Sequence, residues 1–588
     1  MPLFSKVLVA NRGEIALRIF RTLRELGIGT VAVYSEADRG AAHIAYADEA
    51  YLLGGGLPAE SYLNQERIFD AAQRAGAEAI HPGYGFLAEN AGFARACADH
   101  GVVWIGPPAD AIEAMGSKIE ARERMRAAGV PIIPGVTDAV ESADEVRRLG
   151  DELGWPLAIK ASAGGGGKGL KVVRSADEAE RAFESARREG EAYFSDSAVY
   201  VERYLEDPRH VEVQVLADAH GNVIHLGERD CTIQRRHQKL IEETPSPAVD
   251  AALRERIGAI AVEAARAVGY QSAGTIEGLL SREGEYFFLE MNTRIQVEHT
   301  VTELVTGLDL VREQVLIAAG RPLALEQKDV RLQGHAIECR INAEDVANGF
   351  LPAPGTISLY REPSGPGVRV DSGVVTGSEI SPLYDPMIAK LVVHGVDREH
   401  ARRRMLRALD EFVVGGVKTL IGFHRALLTH PCFIEGGTCH GLVESELIAA
   451  RAAELDNGRV AALGDATSPH AREAVRSVEV DGRRFEVRVL RPEPAFAELA
   501  RRRRERARGG GGAGAGRDAV VSPMQGTVLA VEVEEGQEVE AGQVLCIVEA
   551  MKMENEVHAH RAGRVTELSI APGQPVKTGQ VICVVTAD

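Results

Sequence analysis

The chain has 588 residues, of which 45% are hydrophobic and 26% are charged, and its formal net charge at pH 7 is −19. This length exceeds what one hydrophobic core supports and predicts about three to five domains. The acidic balance argues against broad binding to nucleic acid or to an anionic membrane, because both attract basic protein surfaces. No apolar run is long enough to span a membrane, and the N-terminal residues lack the basic flank and apolar core of a signal peptide. We therefore expect a soluble, cytoplasmic protein.

The cysteines are odd in number, scattered, and nowhere spaced as paired zinc ligands. We expect free thiols in a reducing compartment. They occupy positions 97, 231, 339, 432, 439, 546 and 583.

The N-terminal segment alternates between short apolar strands and amphipathic helices. The pattern predicts a strand over Lys6–Ala10, a helix over Gly13–Leu26 and a second strand over Thr30–Tyr34. Similar alternation continues to about residue 107, which indicates one doubly wound α/β domain with Rossmann-like topology. The Gly-x-Gly-x-x-Gly fingerprint is absent, so the sequence does not support a dinucleotide site.

Residues 157 to 174 predict a strand, a glycine-rich loop and a second strand. The loop contains Gly164–Gly167 between Lys160 and Lys168. Glycines let backbone N–H groups approach phosphate oxygens without obstruction by a Cβ atom, and the lysines neutralise charge. No helix follows the loop, which excludes a Walker P-loop. A glycine hairpin without a ligand is the alternative for this motif alone.

Two carboxylates lie in neighbouring apolar strands separated by a turn at 282–284. If these strands pair, Glu277, Glu290 and the amide of Asn292 can share a hard cation and leave positions for water and phosphate oxygens. Polar residues continue at positions 292, 294, 296 and 298, which predicts that they point to one face of an extended segment. We interpret this face as a reaction site; a solvated edge strand is the alternative.

Residues 523 to 588 contain the same half-domain twice. Gly526-Thr-Val recurs as Gly563-Arg-Val, and Gly542-Gln-Val recurs as Gly579-Gln-Val, with no gap between the copies. Short strands broken by Gly-rich turns predict a small two-fold all-β sandwich. Lys552, within Ala-Met-Lys-Met, lies at the seam between the copies, where we expect an exposed hairpin tip.

The composition changes abruptly near residue 500. Residues 501–508 are almost all arginine, and residues 509–516 are only glycine and alanine. The glycine part has no side chains to bury and predicts a flexible linker, while the arginine run indicates a solvated tether or a docking patch for an acidic partner. Before the linker, Asp481-Gly482 between two alternating runs predicts a β-hairpin.

Five stretches together resemble biotin carboxylase, an ATP-grasp ligase, over about residues 3 to 446. The C-terminal repeat resembles biotinyl carrier domains, whose modified lysine sits in Ala-Met-Lys-Met. The whole chain therefore resembles the α subunit of an acyl-CoA carboxylase. The five stretches are Asn-Arg-Gly-Glu-Ile-Ala from Asn11, His-Pro-Gly-Tyr-Gly-Phe-Leu-Ala-Glu-Asn from His81, the glycine loop, Glu-Arg-Asp-Cys-Thr-Ile-Gln-Arg-Arg-His-Gln-Lys from Glu228, and Glu-Met-Asn-Thr-Arg-Ile-Gln-Val-Glu-His from Glu290.

This resemblance implies an α/β architecture followed by an all-β module. The implied segments are a Rossmann-like biotin carboxylase N-terminal domain (1–118), an ATP-grasp domain (119–333), a biotin carboxylase C-terminal domain (334–446), a reduced partner-docking segment with the linker (447–517) and a biotinyl carrier domain (518–588).

The resemblance also implies a ligand for each part of the site. Mg²⁺ or Mn²⁺ would bind Glu277, Glu290 and Asn292, and biotin would be attached to Lys552. The residues implied to hold ATP are Lys118, Lys160, Gly166, Gly167, Glu202, Arg203, Tyr204, Leu205, His210, Gln234 and His237.

Bicarbonate would lie against Lys239, Arg294 and the segment Gln296–Val297, with Glu298 as the base that prepares it to attack the γ-phosphate of ATP. The product would be carboxyphosphate, which releases CO₂ beside biotin. Arg340 would stabilise the enolate oxygen of biotin. Four positions depart from the family pattern without removing a charged group: Ala163, Gly278, Thr300 and Gln525.

The segment 447–500 is too short for a carboxyltransferase, so the resemblance implies a separate carboxyltransferase β subunit, with several α subunits around a β core. A biotin protein ligase would attach the biotin, and neither nucleic acid nor membrane is an expected partner. The sequence leaves the acyl-CoA and the stoichiometry open. Two alternatives are a lipoyl carrier of a dehydrogenase complex, which Met-Lys-Met disfavours, and a catalytically silent biotin scaffold, which the complete set of charged residues disfavours.

Overall fold

A computed structural model gives the fold of most of the chain. The glycine loop, His237, the predicted linker and Lys552 lie outside the residues it describes. In the described residues, no helix is both long enough and apolar enough to cross a membrane. The described residues are 3–136, 139–161, 170–194, 198–236, 238–463, 471–480, 483–492, 518–550 and 553–586.

The N-terminal segment forms a five-stranded parallel sheet in the order β3-β2-β1-β4-β5. Its central strands are buried and carry continuous apolar runs because helices cover both faces. The predicted strand-helix-strand start is confirmed. The elements are β1 (Lys6–Val9), α1 (Gly13–Glu25), β2 (Gly29–Ser35), α2 (Ala42–Tyr46), β3 (Glu49–Gly54), α3 (Gln65–Ala75), β4 (Ala79–His81), α4 (Ala91–Asp99) and β5 (Val103–Trp104).

A small antiparallel sheet follows, in the order β7-β6-β8, with its own apolar cluster. Its first two strands flank the glycine loop, as the sequence predicts. The elements of this part are α5 (Ala109–Gly116), α6 (Lys118–Ala127), α7 (Ala143–Leu153), β6 (Leu157–Ala161), β7 (Leu170–Val173), α8 (Ala179–Phe194) and β8 (Val199–Arg203).

The largest sheet has eight antiparallel strands in the order β13-β12-β9-β10-β11-β14-β21-β19. It runs without interruption across residue 333, where we place a domain boundary from the sequence. Its first elements are β9 (Arg209–Ala217), β10 (Val223–Arg235), β11 (Gln238–Thr244), α9 (Ala251–Ala267), β12 (Ser272–Leu280), β13 (Tyr286–Asn292), α10 (His299–Thr306), α11 (Leu310–Ala318) and β14 (His335–Asn342).

The remaining strands of this region are short, apart from those that complete the large sheet, and its helices pack against an extensive apolar cluster. These elements are β15 (Glu344–Asp345), β16 (Leu351–Pro352), β17 (Gly355–Thr356), β18 (Leu359–Arg361), β19 (Val368–Ser372), β20 (Glu379–Ile380), β21 (Met387–Gly395), α12 (Arg398–Glu411), β22 (Val413–Gly415), α13 (Ile421–Leu428), α14 (Pro431–Ile434) and α15 (Glu446–Leu463).

The predicted hairpin and the predicted sandwich both form. Strands β23 (Ala471–Val480) and β24 (Arg483–Pro492) pair directly. The C-terminal repeat makes two four-stranded sheets around one apolar cluster, and Ala550 pairs with Met553 on either side of the seam. The sandwich strands are β25 (Ala519–Val521), β26 (Gly526–Val531), β27 (Glu538–Val539), β28 (Val544–Ala550), β29 (Met553–His558), β30 (Gly563–Thr566), β31 (Pro575–Val576) and β32 (Val581–Thr586).

The expectation that every cysteine is a free thiol is wrong for two of them. Cys432 and Cys439 form a disulfide, with their Cα atoms 5.9 Å apart. The turn of α14 and the two glycines after it fold this short segment back on itself, so the two side chains meet. The other five cysteines are free and buried.

Candidate active site

Polar side chains line one face of the large sheet. Along β9, His210, Glu212 and Gln214 alternate with valines at 211, 213 and 215 that belong to an apolar cluster. Because successive side chains of a strand point to opposite faces, the polar residues share the other face. Neighbouring strands add further polar groups there, and a connected site forms across the middle of the sheet.

Lys239 on β11 lies at the centre of this face. Its Nζ atom lies 2.5 Å from Glu212 Oε2, 2.8 Å from Glu277 Oε1 and 2.7 Å from Glu298 Oε1. Burial would lower the pKa of Lys239, but the three carboxylates outweigh it and raise that pKa well above the ordinary value. Lys239 is therefore a permanent cation.

Arg229 on β10 is fully buried and shares the Glu212 carboxylate with Lys239. Its Nε donates to Glu212 Oε1 at 2.5 Å, and its two terminal nitrogens donate at 2.7 Å to Gln214 Oε1 and Gln296 Oε1. The hydroxyls of Thr275 and Thr302 accept from it as well. Since these groups come from different parts of the fold, Arg229 joins β9, β12 and the segment leading to α10.

Glu298 is the N-cap residue of α10 and contacts two cations with its two oxygens. Besides Lys239 at Oε1, Arg340 on β14 donates to Glu298 Oε2 at 3.0 Å. Burial favours a higher pKa, but Lys239, Arg340 and Arg229 together hold the pKa of Glu298 well below its ordinary value. Glu298 is therefore ionised.

Arg294 lies at the edge of the cluster, next to Asn292. It donates to Asn292 Oδ1 at 2.9 Å and to Glu89 Oε2 at 2.9 Å. The prediction that residues 292 to 298 form one extended segment is wrong beyond Asn292. The chain leaves β13 there and turns into α10, so the side chains of Gln296 and Glu298 converge through the turn rather than by strand alternation.

The predicted pairing of the strands that carry Glu277 and Glu290 is confirmed. Glu277 on β12 and Glu290 on β13 are direct cross-strand partners, and Asn292 pairs with Thr275. Glu277 Oε1 accepts from Asn292 Nδ2 at 2.8 Å and from Gln296 Nε2 at 2.5 Å, and His210 Nε2 lies 2.8 Å from Glu277 Oε2. Two carboxylates and an amide oxygen make an oxygen-rich set that fits Mg²⁺ or Mn²⁺.

The other residues implied for ATP surround the small sheet. Lys160 on β6 makes an ion pair with Glu202 on β8, and Arg122 donates to the second oxygen of that carboxylate at 3.0 Å. Arg203 instead donates to Glu285, at 2.7 Å. The contact between Arg203 and Glu285 places the small sheet beside the β12–β13 hairpin, which carries Glu277.

Three more of these residues are anchored by their surroundings. Leu205 packs in a small apolar cluster, the backbone N–H of Tyr204 donates to the Pro156 carbonyl, and Gln234 donates to the Cys231 carbonyl at 2.7 Å. Val297, implied for bicarbonate, accepts from Lys390 Nζ through its carbonyl at 3.0 Å. Gly166, Gly167, His237 and the side chain of Lys118 lie outside the described residues.

Sequence reasoning missed several members of the cluster. The alternation of His210, Glu212 and Gln214 within an otherwise apolar strand is a signal that could have found Glu212. The other missed residues lie in strands that carry several charged side chains or in a distant loop, so their spacing does not single them out and only the fold brings them to the site. They are Glu89, Arg229, Glu242 and Glu338.

Gly278, which departs from the family pattern, is covered from the neighbouring strand. A Cβ atom at this position would lie 2.3 Å from the ring of Tyr286. In this chain the aromatic ring beside Glu277 is therefore that of Tyr286 on β13. A side chain at position 278 would have to displace this ring.

Four protein-family models match the chain in succession. They describe the N-terminal domain of biotin carboxylase (residues 3–112), the ATP-binding domain of the carbamoyl-phosphate synthase L chain (117–326), the C-terminal domain of biotin carboxylase (338–445) and a biotin-requiring enzyme domain (518–585).

Individual relatives match either nearly the whole chain or about three quarters of it. The biotin-dependent acyl-coenzyme A carboxylase alpha3 subunit of Mycobacterium leprae is 47% identical over 96% of this chain and 95% of its own length. A pyruvate carboxylase subunit from Methanothermobacter thermautotrophicus is 56% identical over 74% of this chain and 88% of its own. The biotin carboxylase domain of Hydrogenobacter thermophilus 2-oxoglutarate carboxylase, solved with MgADP, ADP and bicarbonate, is 48% identical with a TM-score of 0.70, covering 76% of this chain and 99% of that one.

Proposed function

Because the chain belongs to the biotin carboxylase family and ends in a biotinyl domain, we propose that it carboxylates biotin on Lys552 and supplies a carboxyltransferase that acts on an acyl-CoA. The enzyme is a biotin carboxylase of the ATP-grasp class, which uses ATP and bicarbonate. The observation that carries the proposal is the cluster of Lys239, Glu298 and Arg340, in which buried cations face an ionised base.

The cluster suits the reaction of two anions. Bicarbonate and the γ-phosphate of ATP repel each other, so their approach needs fixed cations in a site that excludes water. Lys239 and Arg294 provide such charges, and Arg229 and Glu89 hold their surroundings in place. Bicarbonate binds against these cations and the Gln296–Val297 segment.

Glu298 acts as the base for bicarbonate. Its ion pairs with Lys239 and Arg340 lower its pKa and so weaken it as a base. An anion that competes for these cations weakens both pairs, and the pKa of Glu298 then rises. Binding of bicarbonate therefore makes Glu298 a stronger base. Glu298 takes the bicarbonate proton, a bicarbonate oxygen attacks the γ-phosphorus of ATP, and ADP leaves as carboxyphosphate forms.

Glu277, Glu290 and Asn292 are the residues that would hold a divalent cation. When bound, the cation would supply positive charge to the phosphate oxygens of ATP. Lys160, Glu202 and His210 lie on the nucleotide side of this group, and the remaining residues implied for ATP complete that side. Arg340 then faces the ureido oxygen of biotin and offsets the negative charge that develops there.

An acyl-CoA is the proposed final acceptor because a relative that spans both the carboxylase and the biotinyl parts is a subunit of an acyl-CoA carboxylase. A 2-oxoacid is the second candidate, since the carboxylase part alone is 56% identical to part of a pyruvate carboxylase. The chain purified with its own carboxyltransferase separates the two. We expect acetyl-CoA, propionyl-CoA or a longer acyl-CoA to be carboxylated, and carboxylation of pyruvate or 2-oxoglutarate alone would overturn the choice.

A further inference from the structure

Two carboxylates face each other across adjacent strands beside Arg340. Glu242 on β11 and Glu338 on β14 are direct partners in the antiparallel register, and both are fully buried. The Cβ atoms of such partners lie about 4.5–5.5 Å apart, so their side chains are in reach of each other. Like charges at this separation are unfavourable unless cations or a proton offset them.

Each carboxylate has one oxygen in use and one without a donor. Glu242 Oε1 accepts from Arg340 Nε at 2.6 Å, and Glu338 Oε2 accepts from the Thr300 hydroxyl. No donor in the described part of the chain reaches Glu242 Oε2 or Glu338 Oε1. Buried acceptors without a donor are rare and costly, and one proton between these two oxygens would satisfy both.

The cations around the pair are already engaged. Arg340 and Lys239 both contact Glu298, and Lys390 on β21 donates to the Val297 carbonyl and lies 3.2 Å from Glu14 Oε2.

Burial, and then the charge of Glu242, raise the pKa of Glu338 well above its ordinary value. Burial also raises the pKa of Glu242, to about 7, against the opposing effect of Arg340. Because Glu242 contacts the cation Arg340 whereas Glu338 contacts only the Thr300 hydroxyl, Glu338 is the member of the pair that keeps a proton.

We propose that Glu338 is a protonated acid that donates to Glu242 Oε2, and that this hydrogen bond makes Glu242 a positioning residue for Arg340. Glu242 then presents its other oxygen to Arg340 Nε in a fixed direction, and Arg340 Nη2 reaches Glu298. Thr300 orients the acid from the opposite side. The shared proton rests on the strand register, the burial of both carboxylates and their two oxygens without a donor, while its catalytic consequence rests on the proposed role of Arg340.

Infrared difference spectra of the full-length protein test the proton directly. At near-neutral pH we expect the C=O stretch of a protonated carboxylic acid in the wild type and its loss in Glu338→Gln. Glu243→Gln is the matched control, because Glu243 is the neighbouring buried carboxylate but is paired with His335 and Arg398. A wild-type spectrum without this band, or a band lost equally in the control, overturns the shared proton.

Thermal unfolding against pH gives a second readout that needs no activity. A carboxyl group whose folded pKa is raised stabilises fully below its unfolded pKa of about 4.3, and this contribution is lost as the pH rises toward the folded value. Glu338→Gln removes this titration, so its melting temperature relative to wild type should rise between about pH 5 and about pH 8. A difference that stays flat over this range contradicts the proposal.

The positioning role is tested by comparing Glu338→Gln with Glu338→Met. The amide of Gln can still donate to Glu242 Oε2, whereas Met has a similar shape and no donor. We expect kcat/KM for free biotin to be about tenfold lower in the Met variant than in the Gln variant, with a smaller difference in KM for ATP. Equal values overturn the positioning role. Absence of biotin carboxylation in the wild type would refute the proposed function and leave the spectroscopic result standing.

Discussion

Glu298 contacts Lys239 at 2.7 Å and Arg340 at 3.0 Å, one cation on each carboxylate oxygen. This arrangement serves two purposes at the scale of single residues. It stabilises an ionised carboxylate in a buried site, and it makes the pKa of that carboxylate depend on what else binds the two cations. In the proposed role of Glu298 as the base, its basicity increases as bicarbonate arrives, which limits unproductive proton uptake.

Glu298→Gln removes the proposed base and keeps the shape of the side chain. Since general-base catalysis contributes about 10²–10⁴-fold, we expect bicarbonate-dependent ATP hydrolysis with free biotin to fall by that factor. The control is Glu263→Gln, which changes an exposed glutamate on α9. Activity of Glu298→Gln within a few-fold of the control would show that another group takes the proton.

Arg229 is the residue on which the packing of the site depends most. Its guanidinium is fully buried and donates to five side chains. Arg229→Met leaves Glu212 without this partner, so the free energy of unfolding should fall by about 3–5 kcal/mol. Arg148→Ala breaks exposed ion pairs on α7 and should cost about 1 kcal/mol or less. Denaturant unfolding of both variants measures the difference, and equal losses would refute the assigned importance of Arg229.

At the scale of single residues, the sequence predicted the polar side chains that interrupt apolar strands. It missed those that only the pairing of distant strands brings to the site. Glu277, Glu290 and Asn292 were predicted because acidic side chains interrupt apolar strands beside a turn. Glu242 and Glu338 were not, because they lie about 100 residues apart in strands with several other polar residues, and only the register between β11 and β14 shows that they are opposite.

Helices and strands were predictable wherever the apolar residues followed a single periodicity, either that of a helix or that of a strand. The hairpin of β12 and β13 formed as expected, with Glu277 opposite Glu290. The segment after Asn292 did not stay extended, because polar residues at alternating positions are compatible with a strand and also with a turn that enters a helix. The helix α10 begins at His299, and its packing against β10, β14 and β21 determines where Glu298 lies.

The disulfide between Cys432 and Cys439 predicts how many thiols a titration will detect. Titration of the denatured, unreduced protein should detect the five free cysteines, and prior reduction should raise the number to seven. Purification without reductant is required, because Cys432 is only half-buried and a thiol reagent can reach it. Seven thiols before reduction would show that Cys432 and Cys439 are not joined.

At the scale of the whole molecule, the charged cluster and the biotinyl domain lie in separate parts of the chain. The eight-stranded sheet carries the charged cluster, and the biotinyl sandwich has its own apolar cluster. The segment between them, residues 493–517, lies outside the described residues, and its glycine composition remains the basis for predicting a flexible linker. The division into modules was predictable from composition and internal repetition, whereas the continuous sheet across residue 333 required the structure.

Transfer of labelled carboxyl from bicarbonate to the intact, biotinylated chain tests the central claim most directly. With ATP and Mg²⁺, we expect acid-labile label on the wild-type protein and none on Lys552→Arg, while both proteins hydrolyse ATP when bicarbonate and free biotin are present. Label that persists in Lys552→Arg, or a biotinylated wild-type protein that takes up no label, would contradict the account.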